Sequence, residues 1–158
     1  MNGRYDSDLK DCSAELIKIK CWIDKNKLDS NVKYLVSYAV IKASGTIENV
    51  FKKMTFDHLA KDANEEAITF FTKNIMNSSS NPKTGQIQKM LQQINGVWAN
   101  NFEEKIKGSN QKGQLNSLIE LRNAFSHGSN ITSSIDEVIL LFNCGCWILE
   151  KLHETIYT

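Results

Sequence analysis

From Val32 to Met54 the apolar residues return at steps of three and four: Val32, Leu35, Val36, Ala39, Val40, Ala43, Ile47, Val50, Phe51, Met54. A stripe this long and regular fits a helix and no strand, because a strand would alternate every second residue. A helix with so broad an apolar face has to bury it against partners. The rest of the chain supplies helical partners, since strand-like alternation is nearly absent and Pro82 is the single proline.

The first partner runs from about Asp8 to Lys25 on Leu9, Cys12, Leu16, Ile19 and Ile23. Asp29-Ser30-Asn31 offers capping side chains before the long stripe begins. A weak break from Thr55 to Lys61 precedes a segment from Asp62 to Met76 built on Ala63, Ala67, Ile68, Phe71 and Ile75. Asn77 to Gly85 reads as a loop, either an insertion or a flexible lid. Two short helices follow. Thr84 caps one carrying Ile87, Met90, Leu91 and Ile94, and the other repeats Trp98, Phe102 and Ile106 by four. Gln114 to Ser126 places Leu115, Leu118, Ile119, Leu121 and Phe125 toward the core. Ser134-Ile135-Asp136-Glu137 is a capping box, and it opens a last helix on Val138, Ile139, Leu141, Phe142, Ile148, Leu149, Leu152 and Ile156. The pattern predicts an all-α fold over residues 1–158 as one domain: a four- or five-helix up-and-down bundle with short extra helices.

Composition narrows the function classes. With 41% apolar residues and a net charge of +1, neither disorder nor a membrane protein is implied. The longest apolar run, Val138 to Leu149, is too short to span a bilayer. Near-neutral charge argues against phosphate-driven binding to long DNA. Lys18, Lys20, Lys25 and Lys27, and likewise Lys105, Lys107 and Lys112, form basic clusters that read either as solvated helix faces or as a track for a short RNA. The opening MNGRYDSDLK lacks the apolar core of a signal peptide, so a cytoplasmic setting is expected, with Cys12, Cys21, Cys144 and Cys146 as reduced, buried thiols. Cys144-Gly145-Cys146 has the wrong spacing for a zinc knuckle. His58, read as an interhelical turn residue, and His153 on the last helix form no metal-binding pair. No metal site is expected. Glycine-rich phosphate loops and G-x-S-x-G are also absent from the sequence.

The chemistry concentrates in Leu118 to Gly128. This stretch begins as apolar helix and ends in a glycine stop, with Arg122, Asn123, Ser126 and His127 at the transition. On a continuous helix, five residues separate Arg122 and His127 by about 140°, so unwinding near Gly128 is what would let the imidazole turn toward the guanidinium. An arginine fork and an imidazole that titrates near neutrality suit phosphate chemistry. Taken alone, the same pair could do no more than cap carbonyls and complement the helix dipole.

Arg122-Asn123-Ala124-Phe125-Ser126-His127 resembles the R-x-x-x-x-H signature of the HEPN superfamily, which favours a polar residue after the arginine. Ser44-Gly45-Thr46-Ile47-Glu48 is similar to the segment that carries an acidic residue on an early helix of many such domains, and the RiboL-PSP-like branch lies nearest. The resemblance implies a metal-independent endoribonuclease without a cofactor, in which the RNA's own 2′-hydroxyl attacks the adjacent phosphate. Arg122 and His127 would be catalytic, with Asn123, Glu48 and Ser126 in support. It further implies a homodimer that brings two motifs face to face, and a setting in toxin–antitoxin, phage-defence or RNA-processing systems. The alternative within the same family is a non-catalytic helical module that binds a nucleotide or a partner protein, such as a nucleotidyltransferase antitoxin.

Overall fold

The computed structural model describes residues 3–78 and 81–157 and contains no strand among them. Its helices are α1 (Gly3–Lys25), α2 (Val32–Leu59), α3 (Glu65–Phe71), α4 (Thr84–Ile94), α5 (Gly96–Ile106), α6 (Asn110–Ser126) and α7 (Ile135–Ile156). A π-helical turn, Thr72–Met76, continues α3. The four long helices α1, α2, α6 and α7 enclose one cluster of buried side chains running from Tyr5 to Ile156. The expected all-α bundle with short extra helices is the fold observed.

Central position is shared between two helices. The stripe on α2 packs against α1, α6, α7 and the π turn, while α7 touches α1, α2, α5 and α6. Helix α7 comes close to α2 because Gly145 lacks a side chain. A Cβ at that position would lie 2.9 Å from Ile47 Cδ1 and 3.1 Å from its Cγ1, and Ile47 is fully buried. Gly145 is therefore a packing device, which the spacing of Cys144 and Cys146 could not show. Gly145→Val is expected to cost about 3 kcal/mol through overpacking, read as a lower midpoint in urea unfolding.

Several local expectations need correcting. Residues Thr55 to Leu59 are helical, so the break falls later, at Ala60–Asn64, where Asp62 takes a left-handed φ of 62°. Aspartate tolerates that conformation better than most residues. Asn31 is the N-cap of α2 but makes no side-chain cap bond; Asp29 Oδ1 instead accepts the Asn31 N–H at 2.7 Å. Thr84 begins α4 rather than capping it, and its N–H donates to Asn116 Oδ1 on α6 at 3.0 Å. Ser134 caps α7 as expected, its Oγ accepting the Glu137 N–H at 3.1 Å. The cysteines are free, but only Cys12 is buried; Cys144 and Cys146 are half-buried and Cys21 is exposed. Burial pushes the Cys146 thiol up to about 12.

His58 is not a turn residue. It lies on the last turn of α2, edge-on to Trp98 and Tyr157 at centroid distances of 4.9 and 5.2 Å, while His153 stacks on Tyr157 at 4.6 Å. Burial lowers both imidazoles from their ordinary 6.5; Lys61 lowers His58 further and Glu154 opposes the shift at His153. The unfolded chain therefore binds these protons more readily than the folded one. Their contribution to stability is complete above about pH 6.5 and is lost as pH falls through the depressed values. The melting temperature should decline between about pH 7 and pH 5, and His58→Phe should flatten that decline.

Candidate functional site

The end of α6 is built by its own backbone. The Gly128 N–H donates to the Phe125 carbonyl at 2.9 Å and the Ser129 N–H to that of Ala124 at 2.9 Å. This is the paired 5→2 and 6→1 pattern of a Schellman stop, with Gly128 at φ +82° as its left-handed residue. His127 is the C-cap, and its N–H donates to the Asn123 carbonyl at 3.1 Å. The imidazole itself is exposed and makes no hydrogen bond among the described residues. Both the helix stop and the accessibility of the ring follow from the Ser126-His127-Gly128 sequence.

Just over one helical turn earlier, Arg122 is held across the helix interface. Its Nη1 donates to Glu48 Oε2 at 2.7 Å, and its side chain is 29% exposed. The other oxygen of the same carboxylate, Oε1, pairs with Lys52 Nζ at 2.7 Å. Glu48 and Lys52 side chains are only 12% and 11% exposed, so this ion pair is largely dry. Lys52 also donates to the Ser78 carbonyl, which ties the segment after the π turn to the site. One carboxylate thus serves two cations and leaves a unit of positive charge over. Most of the guanidinium N–H groups have no partner among the described residues, so the fork retains donors for an anion.

The remaining residues sort by what they touch. The Ser126 hydroxyl donates to the Arg122 carbonyl at 3.0 Å and secures the last turn. Asn123 is half-buried with no side-chain hydrogen bond among the described residues. No hydrogen bond joins Arg122 to His127. Glu48, Arg122 and Lys52 are brought together, while His127 stands apart at the helix end. Lys52 escaped the sequence reading, although its position four residues after Glu48, an i,i+4 pair, was the available signal. Phe125, expected in the core, is 41% exposed, because α6 runs past the packed body after Ile119 and Leu121. In the basic clusters, Lys20 pairs with Asp24 and Asp136, Lys105 with Glu154 and Lys107 with Glu104. Those three lysines are committed to neighbouring carboxylates. No helix among the described residues is long and apolar enough to cross a membrane.

A mostly buried carboxylate that fixes an arginine, with an exposed imidazole at the end of the same helix, is an arrangement that can bind a phosphodiester and move a proton near it. The family model described as RiboL-PSP-HEPN matches residues 7–158. No match was found among curated proteins or among solved structures. HEPN domains are nuclease-like or RNA-related modules, and with nearly its whole length matched, this chain belongs to the RiboL-PSP-HEPN family.

Proposed function

We propose that the protein is a metal-independent endoribonuclease that cleaves RNA through attack of the 2′-hydroxyl on the adjacent phosphorus. The O2′–P bond forms, the P–O5′ bond breaks, and the products are a 2′,3′-cyclic phosphate and a 5′-hydroxyl. The observation that carries this reading is the Arg122–Glu48 ion pair at 2.7 Å, its arginine on the same helix whose C-cap is the exposed His127. Arg122 meets the charge that grows on the non-bridging oxygens. His127 removes the proton from O2′ or delivers one to O5′, and Asn123 orients the phosphate. Glu48 fixes the guanidinium, and Ser126 holds the helix turn that presents it.

One imidazole does not readily act as acid and base in a single step. Two chains packed about a two-fold axis, each contributing Arg122 and His127, would supply the second ring. The test is incubation with RNA in EDTA alongside sedimentation of the same sample. A dimer that cuts RNA, with both properties absent below the dissociation concentration, supports the composite cleft. A fully active monomer contradicts it.

A further inference from the structure

Beside the motif, a groove lies between the α3–π-turn segment and α4. It has two adjoining chambers of about 570 and 410 Å³, which share Asn74, Met90 and Gln93. The first is mainly apolar and is walled by Phe70 and Phe71; Phe70 is 62% exposed. The second adds Phe51, Gln86 and Lys89. No acidic residue lines either chamber, and Lys89 is their one charged group among the described residues.

The groove is connected to the motif from two directions. Ser78, which lines the second chamber, accepts from Lys52, which holds Glu48. Lys83, two residues after the lining Asn81, pairs with Glu120 at 2.9 Å. Asn116, Glu120, Asn123 and His127 follow one another along one face of α6 at steps of four, three and four. Glu120 therefore stands about 10 Å along the helix from His127.

The π turn sets one wall. It is closed by the Asn77 N–H donating to the Thr72 carbonyl at 3.0 Å, and such turns are frequent at functional sites. Asn74, carried on that turn, donates its amide nitrogen to the Phe70 carbonyl at 2.8 Å, which leaves its side-chain oxygen without a partner among the described residues. The side chains of Gln86 and Gln93 also make no hydrogen bond there. A ring to stack on, unpaired amides, a cation and no anions are what a splayed nucleobase and its phosphate require. A purely apolar surface patch would leave the amides unanswered.

We propose that this groove is a base-binding subsite for single-stranded RNA, stacking a nucleobase on Phe70 while Asn74 and Gln93 hydrogen-bond its edge and Lys89 meets its phosphate. The identity of the strand rests on the ribonuclease reading above. Phe125 is the one aromatic residue on α6, so this groove provides the base contacts that the motif lacks.

The test uses the full chain carrying His127→Ala, which keeps the strand intact, titrated with a short fluorescein-labelled single-stranded RNA and read by anisotropy. Adding Phe70→Ala is expected to weaken binding about tenfold, and adding Gln93→Ala about fivefold, with melting temperatures unchanged because both side chains are exposed. An abasic strand should bind the parent and the Phe70→Ala variant equally. Undiminished RNA binding in both variants overturns the subsite, as does failure of the parent to bind RNA at all. Loss of a dimer in Phe70→Ala with RNA binding intact also overturns it and assigns the groove to a second copy. Cleavage by the unaltered chain is scored separately. Phe70-dependent binding without any cleavage keeps the subsite and removes the catalytic reading.

Discussion

His127→Ala is expected to lower RNA cleavage about a thousandfold while leaving the fold intact. General acid–base catalysis by one positioned side chain contributes roughly 10² to 10⁴ in rate, and His127 holds its place through its backbone N–H rather than its exposed ring. Arg122→Lys is the sharper companion. It keeps the charge but loses the planar fork, and at a site that grips phosphate through two parallel N–H groups that exchange is not conservative. A loss of about 10² in kcat is expected, with binding of uncleaved RNA weakened far less. Single-turnover cleavage of labelled RNA, measured beside the melting temperature of each variant, separates the two effects. Equal losses of rate and stability would assign both residues to structure alone.

Glu48→Ala should produce the largest loss of stability near the site, about 3 kcal/mol. Its carboxylate lies between Lys52 Nζ and Arg122 Nη1, each at 2.7 Å. Removing it leaves Lys52, 9% exposed, with only the Ser78 carbonyl as a partner among the described residues. An uncompensated, nearly buried cation is costly, whereas the intact pair contributes little net stability over an apolar substitute. For a chain of this length the change corresponds to about 10 °C in melting temperature. Lys52→Met should cost far less, because Glu48 keeps Arg122 and the methionine fills similar space. Thermal unfolding of both variants checks the asymmetry; equal losses would mean that the two ion pairs are interchangeable.

The fold was legible wherever period and burial coincide. The Val32–Met54 stripe, the glycine stop at Gly128 and the Ser134 cap all stand where spacing puts them, because each is a local signal that tertiary packing reinforces. The motif helix was legible for the same reason, whereas Glu48 stood out only through the family resemblance, and its ion pair with Arg122 adds geometry that spacing could not provide. Phe125 was not, since apolar periodicity continues on α6 after the neighbouring helices have stopped covering it. Lys52 and the groove beside α4 were invisible as a site because their members, Phe70, Asn74, Ser78 and Gln93, come from separate elements. The π turn that carries Asn74 leaves no pattern in the residues themselves, and Gly145 shows its purpose only when Ile47 is seen against it.

The most direct measurement is the chemistry of the cut ends. RNA incubated with the protein in EDTA should yield fragments ending in 2′,3′-cyclic phosphate and beginning with 5′-hydroxyl, and neither end should form with His127→Ala or Arg122→Ala. Fragments ending in 3′-hydroxyl with 5′-phosphate, or cyclic ends that persist undiminished in both variants, would contradict the assignment of Arg122 and His127 as the cleaving pair.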